Sequence, residues 1–100
     1  MKAVTLRVRK IYFDKIVAGT KTFELRKYSE YWKKRLIGNA PGIATFVCGK
    51  QVHRRRIVGV AFVRPEWVVG RPLSEAEKKD IPTEYCYVIH LGEIKEGCKR

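Results

Sequence analysis

Residues 3–26 read AVTLRVRKIYFDKIVAGTKTFELR, and the spacing of apolar side chains along this stretch decides the fold class. In AVTLRVR every second side chain is apolar, a period of two that predicts a half-buried strand. In KIYFDKIVA the apolar positions recur at helical spacing, and Gly19 suits the C-terminal end of a short helix. TFELR alternates again and predicts a second strand, with Phe23 and Leu25 pointing inward.

The sequence after residue 26 predicts a second helix and several further strands. Ser29 is a suitable cap for the helix EYWKKRLIG, which Gly38 closes and in which Trp32 is expected to be buried. The predicted strands are IATFVCG, IVGVAFV and EYCYVIHLGEI, whereas KQVHRRR is either a basic connector or a strand extension. RPEWVVGRPLS is predicted to be irregular, EAEKKD a short polar helix or turn, and KEGCKR a frayed tail.

These elements amount to about five strands and two or three short helices around one core, without a βαβ repeat. They predict an α+β fold: a small, mostly antiparallel β-barrel with helices packed at its ends. A chain of 100 residues fits a single domain, 1–100. With no long apolar run and no apolar N-terminal signal region, we expect a soluble, cytoplasmic protein without a membrane partner.

Charge is the strongest signal in the composition. Lys and Arg together number 22 and Asp and Glu together number 10, which gives a formal net charge of +12 at neutral pH. The natural polyanionic partner for such a domain is nucleic acid. A generally solubilising surface is the alternative, but the cations cluster in the sequence, at residues 7–10, 33–35 and 53–56.

Cysteine and histidine spacing gives no sign of a metal site. Cys48, Cys86 and Cys98 are widely separated, and His53 and His90 stand apart from them. A zinc site requires paired ligands at short spacing. We therefore expect no metal and no cofactor, and we expect Cys48 and Cys86 to be small core residues.

The stretch GTKTFELR places Gly19, Lys21, Glu24 and Arg26 in the pattern GxKxxExR. With YFDKIVA before it and YSEYWKKRL and FVCGKQVHRRRIVGVAFV after it, this pattern closely resembles the activating signal cointegrator homology (ASCH) domain over roughly the whole chain. The resemblance implies a β-barrel related to the pseudouridine synthase and archaeosine transglycosylase (PUA) RNA-binding domain. It also implies a cleft beside the first helix, lined by the signature residues, and a role with RNA or another nucleic acid.

The same resemblance raises an enzymatic alternative. One branch of the family is an amidohydrolase that removes the acetyl group from N4-acetylcytidine, and ribonuclease activity has been proposed for another member. That branch resembles GxKTxTxR, whose strand threonine is replaced here by Glu24, a poor acyl acceptor. For a hydrolase, Lys21 and Glu24 are the first candidates for base and acid. A nucleic-acid-binding module without catalysis is favoured.

We call Lys21, Glu24 and Arg26 the charged trio. Its side chains offer one hydrogen-bond acceptor and two cations, which suits the binding of a nucleotide. Arg26 can fork onto a phosphate or hold Glu24 in a bidentate pair, and Lys21 can reach the same cleft as a point charge. Glu24 can accept hydrogen bonds from a base amino group or a ribose hydroxyl. The structural alternative is an ion-pair cluster that holds the helix to the barrel, although exposed pairs contribute only about 0–1 kcal/mol.

The predicted partner of the wider interface is nucleic acid, and RNA is favoured over DNA. The oligomeric state is left open. Its residues are Arg7, Arg9, Lys10, Lys21, Thr22, Glu24, Arg26, Arg54, Arg55, Arg64 and Trp67. The basic runs at 33–35 and 53–56 are equally consistent with phosphate contacts and with solvated surface. Trp67 is either a stacking platform or a plug for the end of the barrel, and plugging is favoured. An acidic protein partner is a further alternative.

Overall fold

A five-stranded sheet and three short helices make up the part of the chain that the computed structural model describes, residues 2–70, 72, 74–75, 79 and 84–94. The elements in chain order are β1 (Ala3–Arg7), α1 (Lys10–Ala18), β2 (Phe23–Lys27), α2 (Glu30–Lys33), β3 (Ile43–Cys48), β4 (Gln51–Val63), α3 (Pro65–Val69) and β5 (Cys86–Ile94). A π-helical turn, Lys34–Gly38, continues α2. None of the described helices is both long enough and apolar enough to cross a lipid bilayer.

The strands lie in the order β1-β3-β4-β5-β2 and form a curled half-barrel. Three of the four neighbouring pairs are antiparallel, and β1 pairs with β3 in parallel. The α+β class and the mostly antiparallel sheet are thus confirmed. The predicted β-barrel is present as a half-barrel: among the described residues no backbone ladder joins β1 to β2, which are the two edges of the sheet. We call the open side between them the seam.

The elements β1 and α1 and the start of α2 form as the local sequence predicts. Val4 and Leu6 on β1 are buried, and α1 ends at Gly19, which adopts the left-handed conformation (φ 85°). Ser29 caps α2 by accepting a hydrogen bond from the amide of Trp32 at 3.1 Å. The core cluster comprises Val4, Leu6, Phe13, Ile16, Leu36, Ala44, Phe46, Tyr87, Ile89 and Leu91.

The long strand β4 gives the sheet its curl. Its N-terminal half pairs with β3 and its C-terminal half with β5, so the segment KQVHRRR, apart from its first residue, is part of the strand. The pairing with β5 shifts register between Arg55 and Ile57 and again between Ile57 and Gly59. Such irregularities bend a strand and increase its twist.

One further segment differs from the sequence-based expectation, and two others lie wholly or largely outside the described residues. The segment after β4 was expected to be irregular, but it forms α3, because Pro65 suits the first helical turn and Gly70 ends the helix with φ 78°. The expected helix or turn at 75–80 lies largely outside the described residues, as does the tail at 95–100. Cys86 is a buried core residue, as expected, and burial raises the pKa of its thiol to about 11, whereas Cys48 is only half-buried.

The buried Arg55 ties three parts of the fold together. Its Nε donates to the carbonyl of Gly92 on β5 at 2.8 Å, and its Nη1 donates to the carbonyls of Ile16 and Lys21 at 3.0 and 3.2 Å. Only 4% of the residue is exposed, and burial lowers the pKa of the guanidinium. Because Ile16 lies in the last turn of α1, the cation also interacts favourably with the negative end of the helix dipole. Arg55 therefore fixes α1 and the loop before β2 against the sheet.

Replacing Arg55 with alanine is expected to lower the free energy of unfolding by about 2–4 kcal/mol, because three carbonyls lose their charged donor. The neighbouring Arg54 is exposed, so Arg54→Ala removes the same charge from the same strand at a cost within about 0.5 kcal/mol. Urea unfolding of both variants provides the comparison. Equal stability of the two variants contradicts the anchoring role.

Candidate functional site

The Arg26 side chain spans the seam between the two edge strands. Its Nη2 donates to the main-chain carbonyl of Arg7, at the end of β1, at 2.9 Å. The Lys2 carbonyl and the Val8 amide bond to the β3 side, so the polar groups of the odd-numbered residues of β1 face away from β3. The Arg7 carbonyl is therefore available at the open edge, and a side chain on β2 uses it where a strand partner is missing.

Glu24 occupies the centre of the site, between two cations. Its Oε2 accepts from Nη2 of Arg26 at 2.8 Å, and its Oε1 lies 3.6 Å from Nζ of Lys21. Glu24 is the most buried residue of β2, at 8% exposure. The expectation that Phe23 and Leu25 are the inward pair is therefore wrong: both are half-buried, because the face of β2 that carries Glu24 turns into the seam.

Lys21 is half-buried against two aromatic rings. Its Nζ lies 5.5 Å from the ring centroid of Tyr12 and 5.0 Å from that of Phe23, which is within range of a cation–π attraction. Burial lowers the pKa of Lys21, and the neighbouring Glu24 carboxylate opposes that effect by favouring the charged ammonium. The lysine is thus held in place by one carboxylate and two rings.

A groove of about 370 Å³ opens at the seam, and we call it the seam groove. The described residues that line it are Arg7, Val8, Arg9, Tyr12, Glu24, Leu25, Arg26, Lys27 and Trp32. The Arg26 guanidinium carbon lies 5.3 Å from the Trp32 ring centroid, and that of Arg9 lies 5.9 Å from the Tyr12 ring centroid. The groove thus combines four cations, two aromatic rings and one deeply placed carboxylate.

Four of the eleven residues predicted from the sequence line the seam groove: Arg7, Arg9, Glu24 and Arg26. Lys21 is joined to them through Glu24 but is not among the described lining residues. The side chain of Thr22, next in sequence, is exposed, and its main-chain carbonyl accepts from the Leu91 amide at 2.9 Å. Lys10 is exposed and lies 3.2 Å from Asp14 in the same helix, so a carboxylate already faces its charge.

The other four predicted residues lie elsewhere, and none of them lines the seam groove. Arg54 is exposed on β4, whereas Arg55 is buried with its donors on main-chain carbonyls, so its guanidinium is a structural anchor. Arg64 lies 3.9 Å from Glu66. Trp67 is 67% exposed, so the preference for a tryptophan that plugs the barrel is wrong.

Five residues of the seam groove are absent from the predicted set: Val8, Leu25, Tyr12, Lys27 and Trp32, of which the last three carry a charge or a ring. Tyr12 and Trp32 were assigned to apolar helix stripes, and Trp32 is only half-buried because the open seam leaves it without a covering strand. The positions of Tyr12 and Trp32 in the sequence could have identified them as candidates. Each ring follows closely in sequence after a strand that ends in cations, so it was a candidate to lie near them.

The described residues contain no group of three or more His, Cys, Asp or Glu side chains arranged to hold a metal ion. No protein-family model matches the chain, and no curated protein matches it. The family that GxKxxExR suggests therefore stays a prediction.

Glu24→Gln is expected to lower the free energy of unfolding by about 3 kcal/mol, because two partly buried cations lose their shared anion while the side-chain volume is kept. The matched control is Asp14→Asn, which breaks the exposed pair with Lys10 at a cost below about 1 kcal/mol. Chemical unfolding at neutral pH measures both. A Glu24→Gln variant as stable as Asp14→Asn contradicts a stabilising role for the trio.

Lys21 gives the stability of the protein a specific pH dependence. Burial lowers its pKa in the folded state below the ordinary value of 10.5, so between these two values the unfolded chain holds a proton that the folded chain has lost. Stability from this group therefore rises with pH within that window. The unfolding free energy of the wild type minus that of Lys21→Met is expected to increase towards pH 10.5. Urea unfolding at a series of pH values measures this difference, and a falling difference contradicts the assignment.

Proposed function

We propose that the chain is an RNA-binding module of the PUA-like, ASCH-related class, and that RNA occupies the seam groove. The observation that carries the proposal is the lining of that groove, where cations surround one buried carboxylate beside two aromatic rings. The net charge of +12 supports it, because a positive field steers a polyanion towards the surface. The GxKxxExR pattern supports the class assignment.

Each kind of groove residue suits a different part of a nucleotide. Arg7, Arg9 and Lys27 are exposed cations and can contact phosphates. Tyr12 and Trp32 offer ring surface on which an unpaired base can stack, an interaction of about 1–3 kcal/mol per base.

The carboxylate of Glu24 can favour RNA over DNA. A carboxylate has about four acceptor positions. The two cations that hold Glu24 do not use all of them, so the carboxylate can accept a further hydrogen bond. A 2′-hydroxyl group can donate to such an acceptor, whereas deoxyribose has no hydroxyl at that position. RNA is therefore the expected partner.

The hydrolase alternative has weaker support from the geometry. Its candidate base, Lys21, contacts Glu24 but is not among the described residues that line the groove, so the pair does not face a substrate together. Turnover of N4-acetylcytidine or of RNA that is lost in Lys21→Ala favours an enzyme. An acidic protein partner shares the charge requirement, and a pull-down after nuclease treatment distinguishes it from RNA.

Single-stranded RNA is expected to bind the wild type with an affinity that falls steeply with salt, by a logarithmic slope of about 0.7 per neutralised phosphate. Arg9→Ala and Lys27→Ala are each expected to weaken binding and to reduce that slope by about one phosphate contact. Fluorescence anisotropy at several salt concentrations, with single-stranded DNA and duplex RNA as comparison ligands, measures both quantities.

The control variant is Lys50→Ala, which removes one exposed cation from the turn between β3 and β4. It is expected to bind RNA nearly as the wild type does. Equal losses in Lys50→Ala and Arg9→Ala indicate diffuse attraction without a groove, and no binding at low salt removes the proposal.

A further inference from the structure

A second groove, of about 450 Å³, lies against the same edge strand, and we call it the α2 groove. The described residues that line it are Ala3, Val4, Thr5, Tyr31, Lys34, Arg35 and Asn39. Tyr31, Lys34 and Arg35 follow one another at helical i, i+3 and i+4 spacing, so α2 and its π-helical turn present one face to the groove. The opposite wall is the first half of β1.

The two grooves follow one another along the open edge of β1. The α2 groove uses Ala3 and Thr5, and the seam groove uses Arg7, so both lie on β1, a strand that advances about 6.5–7 Å for every two residues. The main-chain polar groups of Ala3 and Thr5 face away from β3, as does the Arg7 carbonyl. The two grooves are therefore joined by one edge of β1, along which main-chain polar groups face outward.

The same pairing of ring and cation occurs in each groove. In the α2 groove the Arg35 guanidinium carbon lies 3.8 Å from the ring centroid of Tyr31, and in the seam groove Arg26 lies over Trp32 at 5.3 Å. The Tyr31 and Trp32 rings are themselves 4.9 Å apart, edge to face. Two stacking surfaces, each with its own positive charge, thus stand side by side along one line.

We propose that the α2 groove is a second subsite for the RNA strand that enters the seam groove, and that the ligand is single-stranded across both. The inference rests on the proposed function and extends it to ligand length and strandedness. Unpaired bases can stack on rings and on guanidinium planes, whereas bases in a duplex are stacked on one another and are unavailable. Lys34 and Arg35 supply the charge for the additional phosphates.

The test compares a uridine dinucleotide with a uridine octanucleotide, since single-strand sites on small barrels span about 4–16 nucleotides. The wild type is expected to bind the octanucleotide at least about fivefold more tightly than the seven overlapping dinucleotide registers of that strand account for, the equivalent of one added stack. Tyr31→Ala and Lys34→Ala are expected to remove most of that advantage and to leave dinucleotide binding unchanged. Arg9→Ala weakens binding of both lengths. Tyr31 is 53% exposed, so its truncation leaves the core intact.

Lys33→Ala is the matched control, because Lys33 precedes Lys34 on the same helix, is exposed, and lines neither groove. It is expected to bind both lengths as the wild type does. An octanucleotide affinity of the wild type no greater than those registers account for, or equal losses in Lys33→Ala and Lys34→Ala, overturns the second subsite and leaves the seam groove standing. Failure of the wild type to bind either length at low salt overturns the proposed function itself.

Discussion

The structure depends on the contact that Arg26 makes across an unclosed sheet. A single nitrogen of its guanidinium, Nη2, reaches the Glu24 carboxylate on its own strand and the Arg7 carbonyl on the opposite edge. Backbone hydrogen bonds join all four pairs of neighbouring strands within the sheet. At the seam a side chain takes over that role. The two edges are therefore held in register and are also kept apart, and this separation leaves room for a groove.

The charges at the seam are costly, and this cost bears on their purpose. Removing a carboxylate and two cations from water is repaid only when their geometry is good, and apolar residues of similar volume often stabilise a fold equally well. Glu24 pairs with both cations at once, which keeps their charges balanced within the cluster. Stability alone gives little reason to place such a cluster where the core is open to solvent. A role in binding an anion gives a direct one.

The sequence predicted the parts of the fold that depend on local spacing. The alternation in β1, the helix ending at Gly19 and the cap at Ser29 all appear as expected, because each depends on neighbours within a few residues. The burial of Glu24 and the anchoring by Arg55 were not predictable, because the partners of Arg55 and the carbonyl that Arg26 reaches lie on distant segments. Trp67 was misplaced for the same reason: the sequence alone could not show that the sheet stays open.

The strand order determines when the seam groove can form during translation. β2 carries Glu24 and Arg26, yet its neighbour in the sheet is β5, which leaves the ribosome after all the other described strands. A strand without a neighbour has little stability of its own, so β2 cannot take its place in the sheet until β5 has been made. Nascent chains that stop before Cys86–Ile94 therefore carry the basic residues without the groove that orders them.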